Sequence, residues 1–357
     1  MSRQTIHQIV SGFRAGDAIS NEALLLKSLA QKNSHECHIY SPVQHTGASA
    51  ASSVRDIDSL PATVKADDIS LLHLSIGNRA NDIFETLKCR KVILYHNITP
   101  SHFFDRLNPQ FAQILHEGRT RLKSMSGVAE INLADSAYNA GELIELGYKN
   151  VEVFPFAIDS DFGTGDVSPA MKRRLMHDGC ENILFVGRIV PNKRFDKILE
   201  VFSYYQLHVN PDCRLVLAGS SHGLESYKAM LLGVAHSLEV KHVLFTEFLS
   251  DSELNACYAT ASAFLCMSEH EGFCAPLMEA MAWDVPVFAN AAAAVPETLG
   301  GAGVLFENTD CATIAETIGQ VLTSPKLKES ILAKQKKRFS DYRSRDVWSE
   351  FSKLLGI

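Results

Sequence analysis

The stretch AFLCMSEHEGFCAPLMEAMAWDVPVFANAAAAVP, residues 263–296, decides the reading of this chain. Ala263 to Met267 reads as a short buried strand and Ser268 to Cys274 as a polar turn; the run opened by Pro276 reads as a helix and Val285 to Ala289 as a second strand. Two carboxylates, Glu271 and Glu279, bracket the turn. The pattern sets Glu271 past the carboxyl end of the first strand and Glu279 in the first turn of the helix, both aimed at the crevice where open α/β sheets bind ligands. The helix N-terminus, with the amides of Phe273 and Cys274, favours an anion such as phosphate. A carboxylate repels an anion, so the glutamates serve something else. Each offers two acceptor oxygens, which suit the vicinal diol of a ribose or a hexose. A diphosphate flanked by two diols is a sugar nucleotide. The competing reading makes Glu279 an ordinary helix-dipole charge and Glu271 a solvated loop residue.

Upstream, ILFVGRIVPNKRFDKILEVF places a strand over Ile183 to Val186, leads through Gly187 to Arg188, and sets Lys193 where the next helix begins. Arg188 and Lys193 therefore bring two cations to the same crevice, the charges that an anion site needs. An exposed surface pair is the alternative. CRLVLAGSS and HVLFTEFLSDSELNACYATA continue the alternation of strands and helices up to residue 263.

The first half repeats the alternation. Thr5 to Val10 is an opening strand; Gly12 and Gly16 sit in a turn, and an amphipathic helix runs from about Ser20 to Gln31. SPVQHTGASAASS reads as a mobile loop. Strands follow at Ile69 to Leu74 and Val92 to Tyr95, with a helix over Asn81 to Leu87 between them; the second strand ends in YHNITP, which puts His96 at a strand's carboxyl end. Pro109 to Ser124 is helical. INLADSAYNAGELIELGY supplies a strand, a cap at Ser136 and a helix ending at Gly147, and Val151 to Phe154 is a further strand. The Gly-, Ser- and Asp-rich text from residue 157 to 182 marks the domain boundary. Three segments result: 1–160, 161–340, and a last helix, 341–357, whose Val347, Trp348, Phe351, Leu354 and Leu355 form one apolar face.

A chain of 357 residues exceeds the size at which single cores stop growing, which agrees with two domains. No apolar run approaches the roughly 18 residues of a membrane span, and the start MSRQTIHQIV has neither a secretory apolar core nor a cleavage site, so a cytoplasmic location is expected. The eight cysteines form no C-x-x-C unit, which argues against zinc and a disulfide framework. A net charge of −7 gives no support to nucleic-acid binding. Between Lys88 and Lys123, however, seven basic residues face two acidic ones. That excess suggests a peripheral contact with anionic membrane or a lipid diphosphate, against the plainer reading of a solvated helix face.

With these residues in view, the chain resembles glycosyltransferase family 4, the retaining, nucleotide-sugar-dependent group 1 glycosyltransferases. FVGRIVPNKRFDKIL, EHEGFCAPLMEAMAWDVPVFA and AVPETLGGAGVLFE carry the likeness in the second half, and GDAISNEALLL, LYHNITP, ADSAYN and VFPFAID in the first. The resemblance implies a GT-B fold: two Rossmann-like, doubly wound parallel-sheet domains facing a central cleft, the N-terminal one for the acceptor, the C-terminal one for the nucleotide sugar, with the last helix crossing back to the first. It implies that Gly187, Arg188 and Lys193 bind the donor diphosphate, that Glu271 contacts sugar hydroxyls beside the amides of Gly272, Phe273 and Cys274, and that Glu279 holds the ribose. His96 would touch the transferred sugar, Gly16 would let the first loop approach the phosphates, and Asp17 and Asn97 would meet the acceptor. Many members carry adjacent glycines where Asp17 follows Gly16, and a glycine where LFTEF has Glu247.

The implied reaction moves a hexose, with mannose from GDP-mannose or a UDP-hexose as first expectations, to a glycan or polyprenyl-diphosphate-linked acceptor in cell-surface polysaccharide synthesis. Protein cations stabilise the leaving diphosphate, so no cofactor and no metal are expected. The D-x-D pairs Asp56/Asp58 and Asp159/Asp161 lie in loop or boundary text. A phosphorylase or sugar-nucleotide epimerase of the same fold, or a non-catalytic subunit, are the alternatives.

Overall fold

The computed structural model describes residues 4–14, 16–47, 53–159 and 162–357. The chain divides into two compact units. Unit 1 comprises Met1–Asp105, Pro109–Asp159 and Arg345–Ile357; unit 2 comprises Arg106–Asn108 and Ser160–Ser344.

Unit 1 opens with β1 (Thr5–Val10), α1 (Ala18–Lys32), β2 (Glu36–Ser41) and β3 (Arg55–Asp56). It continues with α2 (Leu60–Thr63), β4 (Ile69–Leu74), α3 (Arg79–Thr86), β5 (Arg90–Tyr95) and α4 (Pro109–Ser124). β6 (Ile131–Ala134), α5 (Ala137–Glu145) and β7 (Val151–Val153) complete its sheet. The seven strands are all parallel and ordered β3-β2-β1-β4-β5-β6-β7. Helix α1 begins two residues earlier than the apolar spacing suggests because Asp17 caps it, accepting from the amide of Ser20 at 3.0 Å. Of SPVQHTGASAASS, Val43–His45 forms a 3-10 turn and residues 48–52 lie outside the described residues.

Unit 2 contains α6 (Pro169–Met176), β8 (Glu181–Val186), α7 (Phe195–His208), β9 (Cys213–Ala218), α8 (Glu225–Ser237) and β10 (Val243–Glu247). Then come α9 (Asp251–Thr260), β11 (Ala261–Cys266), α10 (Ala275–Ala282), β12 (Val287–Asn290), α11 (Val295–Leu299) and β13 (Val304–Phe306). Two helices follow, α12 (Cys311–Thr323) and α13 (Pro325–Arg343). Its six parallel strands run β10-β9-β8-β11-β12-β13. Both sheets are thus doubly wound, with the strand order reversing once: between β1 and β4 in unit 1 and between β8 and β11 in unit 2. Central strands such as ISLLHL of β4 and CRLVLA of β9 are buried along their whole length, as parallel strands covered by helices on both faces must be.

The last helix, α14 (Val347–Leu355), belongs to unit 1. Phe351 and Leu355 enter the core cluster of Ile6, Leu71, Val92, Leu133 and Phe154, with Val347, Trp348 and Leu354 packed at its margin. Arg345 leads into the helix, donating to the carbonyl of Pro155 at 3.0 Å and pairing with Glu350 at 2.6 Å.

Among the described residues no helix is long and apolar enough to cross a membrane. The basic excess between Lys88 and Lys123 is largely cancelled by residues distant in sequence. Arg121 pairs with Asp82 and Glu85, Arg119 with Glu142, and Arg90 with Glu130, while the Lys91 ammonium donates to the carbonyl of Glu85. A running charge count misses such pairings, so the surface is less cationic than that count suggests.

Candidate functional site

In unit 2 the two loops that follow β8 and β11 meet at the strand-order reversal. Gly187 leaves β8 with φ 157°, and Gly219, which leaves β9, packs so close that a Cβ there would lie 2.0 Å from the Gly187 carbonyl oxygen. A Cβ on Gly187 would stand 3.0 Å from Cδ of Lys193, so the absence of a side chain lets the lysine stem cross the strand end. Pro191–Lys193 forms a 3-10 turn, and Arg194, at φ 50°, turns the chain into α7.

Lys193 reaches Glu271 at 2.6 Å, and the hydroxyl of Ser268 donates to the same carboxylate oxygen at 2.7 Å. The structure thus brings together a cation and a carboxylate that are 78 residues apart. Burial opposes the lysine's charge, but the Glu271 carboxylate outweighs it and holds the ammonium above its ordinary range. Arg188 is exposed on the same loop.

Sequence reasoning overlooked the residues that tie the loops. Asn192 donates its side-chain amide to the carbonyl of His270 at 3.0 Å and accepts at its own carbonyl from the amide of Glu269 at 2.8 Å. Asn290 donates to the carbonyl of Ser268 at 3.1 Å, and Arg194 pairs with Asp196 and Glu269. The N-K-R run after a strand and the serine before the acidic turn were the available signals.

Past Glu271, Gly272 and buried Phe273 lead to Cys274, which takes φ 72° and starts α10 without a side-chain cap. Glu279 is the fifth residue of that helix. It therefore lies in the second turn, because the helix starts at Ala275 and the proline falls within its first turn. Its Oε2 accepts from the hydroxyl of Tyr258 on α9. Burial pushes the Glu279 carboxyl up, with the tyrosine hydroxyl opposing that shift.

Glu247 ends β10 at φ 57°, a conformation that a glycine adopts without cost. Its carboxylate accepts from the amide of Ser221 at 3.0 Å and from the Ser221 hydroxyl, and it pairs with Lys228.

In unit 1, His96 follows β5 and its ring is inside the unit, its side chain 2% exposed. It lies between His73, Glu22 and Asp135, none of which the linear pattern singles out. Asn97, at φ 78°, donates to the side-chain carbonyl of Asn139 at 2.8 Å. Gly16 is at φ 78° with open space where a Cβ would stand, and Asp17 directs its carboxylate to Ser20 as the α1 cap. Of the D-x-D pairs, Asp56 caps a 3-10 turn, Asp58 is bound by Arg79 at 2.7 Å, and Asp161 lies outside the described residues.

Two parallel, doubly wound units are the architecture of the GT-B fold. Residues 170–338, nearly all of unit 2, match the family model of the glycosyl transferases group 1. The chain is 26% identical over 247 residues to the serotype-specific mannosyltransferase WbdA of Escherichia coli, covering 65% of this chain and 30% of that protein. It is 29% identical over 163 residues to a GDP-mannose-dependent alpha-mannosyltransferase of Mycobacterium tuberculosis, covering 45% of this chain and 39% of the other. The chain therefore spans well under half the length of these relatives. Among solved structures, HepE of Anabaena, in complex with UDP and glucose, superposes with a TM-score of 0.76 at 16% identity, covering 99% of this chain and all of the other. The fold is GT-B, and residues 170–338 of unit 2 are similar to the group 1 glycosyl transferases.

Proposed function

We propose that this protein is a retaining glycosyltransferase that moves a hexose from a nucleotide diphosphate sugar to a glycan or lipid-linked acceptor. The observation that carries the proposal is the Lys193–Glu271 pair with exposed Arg188 at the strand-order reversal of unit 2. Mannose from GDP-mannose is the first donor to test, on the likeness to two mannosyltransferases, with UDP-hexoses second. A screen of nucleotide sugars for acceptor-dependent release of nucleoside diphosphate tests the reading. Release from none of them in the presence of a mannan or polyprenyl-linked acceptor overturns it.

Breaking the bond between the anomeric carbon and the phosphate leaves the sugar close to an oxocarbenium ion and puts negative charge on the departing diphosphate. Arg188 and Lys193 stabilise that charge. Lys193 starts out paired with Glu271, so an arriving diphosphate shares a cation already held protonated, and Glu271 is released toward the sugar hydroxyls. The departing phosphate oxygen takes the acceptor's proton on the same face, and the configuration is retained.

The ribose diol is assigned to Glu279, whose Oε2 is engaged by Tyr258 and whose Oε1 is the acceptor for the sugar. The ribose does not change during the reaction, so its contact is uniform binding. Glu279→Ala is expected to weaken donor binding about ten- to hundredfold, the worth of hydrogen bonds to a charged group, while kcat at saturating donor changes little. Calorimetric titration with the nucleoside diphosphate checks it, and unchanged affinity removes the ribose assignment.

Because lysine and arginine side chains supply the positive charge and Asp58 is committed to Arg79, transfer is expected to persist in EDTA. Loss on chelation, with recovery on added magnesium or manganese, counts against that expectation.

A further inference from the structure

At the carboxyl edge of the unit 1 sheet, the reversal between β1 and β4 is filled by polar side chains. Gln8 comes from β1, His73 from β4, His96 from the end of β5, Asp135 from the end of β6 and Glu22 from α1, all buried. The side chains of His73 and Glu22 are 0% exposed, and Glu22 Oε2 has no hydrogen-bond partner. Burying such a group without a partner is costly, so its retention needs a reason beyond packing.

The protons can be placed one after another. The side-chain amide of Gln8 donates to the carbonyl of Ala23 at 2.8 Å and to the sulfur of Cys37 at 3.3 Å, which uses both its hydrogens. Its oxygen, 2.8 Å from His73 Nε2, is therefore the acceptor, and His73 carries its proton on Nε2. Burial, and then the neighbouring charge of His96, hold His73 neutral far below its usual range, so its Nδ1 is a lone pair. That lone pair is 3.0 Å from His96 Nε2, which must then be the donor. The other ring nitrogen of His96 faces Asp135 Oδ2 at 3.4 Å, and Glu22 Oε2 is 3.5 Å from Nε2. Burial opposes a charge on His96, but Asp135 and Glu22 outweigh it and raise its pKa.

Glu22 Oε2, His73 Nδ1 and His96 Nε2 also lie within reach of one metal ion. The ring geometry favours a proton instead. The imidazoles are parallel to within 1° with centroids 5.2 Å apart, so their facing nitrogens meet end to end and each points at the other, not at a common third point.

We propose that Gln8, His73 and Glu22 are positioning residues that hold His96 as a doubly protonated imidazolium, which bars it from acting as a general base. This rests on the reading that His96 takes part in sugar transfer, and it fits a reaction in which the departing phosphate receives the acceptor's proton. The charged and titratable groups facing the pair are His73 on β4, Glu22 on α1, Asp17 at its cap, Asp135 after β6 and Arg345 before α14. Burial pushes the Glu22 carboxyl up to about 7, against the pull of His96 and the Ala157 amide. For an acid raised in this way, the stabilising contribution is complete below its ordinary pKa and is lost as pH rises through about 7. Glu22→Gln, which cannot ionise, should therefore gain stability relative to the parent chain as pH is raised through that value.

The test is nitrogen NMR of the histidine-labelled full chain with a pH titration, repeated for Glu22→Gln and His73→Phe. Both nitrogens of His96 should be protonated at neutral pH, with His73 neutral and protonated on Nε2. Both substitutions should lower the His96 pKa by about one unit or more, and the alkaline limb of transfer activity should move down by the same amount. A singly protonated His96 in the parent chain overturns the proposal, as does a titration unmoved in both variants. Equal loss of activity at every pH, or a stoichiometric metal ion bound to both imidazoles, does so too. Should the NMR agree while His96→Gln transfers sugar normally, the proton assignment stands and the role of His96 in transfer falls.

Discussion

Arg188→Ala is expected to lower turnover at saturating donor by about a hundred- to a thousandfold, with a smaller loss in donor affinity. Diphosphate charge grows as the bond to the sugar breaks, so a cation beside it binds the transition state more tightly than the substrate, and loss of one such donor commonly has this size. Arg188 is exposed, which makes its removal a test of chemistry with little effect on the fold. Lys193 is a harder case. Its ammonium is 2.6 Å from a Glu271 side chain only 9% exposed, so Lys193→Ala also leaves a buried carboxylate uncompensated, at about 3–5 kcal/mol. The double substitution Lys193→Ala with Glu271→Gln removes that penalty and should recover stability without recovering turnover. Steady-state release of nucleoside diphosphate beside thermal melts separates the two effects. Full turnover in Arg188→Ala and in the double variant would remove both cations from the reaction.

Residues 263–296 carried the architecture because the strand, turn and helix they encode are local, and Pro276 and the polar turn punctuate them clearly. The meeting of Lys193 with Glu271 was readable for a topological reason: parallel strands deliver their following loops to one edge, so residues just past two strands converge. The depth of Glu279 in its helix was not readable to within a turn, because a proline is compatible with several positions in the first turn. The ion pairs of the cations between Lys88 and Lys123 were not readable in the sequence, because Asp82, Glu130 and Glu142 reach them only in the folded unit.

The cluster around His96 escaped for a further reason. Gln8 and His73 stand in the strands TIHQIV and ISLLHL, where a polar residue among apolar ones looks incidental. Yet a parallel strand covered on both faces has no solvent side, so a polar side chain there needs a buried partner. Two such interruptions in strands that pair as neighbours were the available sign.

Truncating the chain after Arg345 is expected to unfold unit 1 while unit 2 keeps its fold. α14 is short, nine residues, and an isolated helix of that length is marginal in water, so its stability derives from what it covers. Phe351 and Leu355 are at most 1% exposed within the unit 1 core, Phe351 packs on Phe154 at a ring separation of 5.4 Å, and Trp348 lies against His35 at 5.4 Å. Each buried apolar side chain contributes roughly 1.5–3 kcal/mol. Losing these together with Val347 and Leu354 removes an amount comparable to the whole stability of an ordinary domain, about 5–15 kcal/mol. The exposed underside of β1, β4 and β5 would also become an apolar patch prone to association. Hydrogen exchange distinguishes local from general damage: amides of β1, β4, β5 and β6 should lose protection while those of β8, β9 and β11 keep theirs. Phe351→Ala, at about 3–5 kcal/mol, should move unit 1 in the same direction in the intact chain. A truncated protein with undiminished protection in β4 and β5 would show that the helix covers the core without holding it.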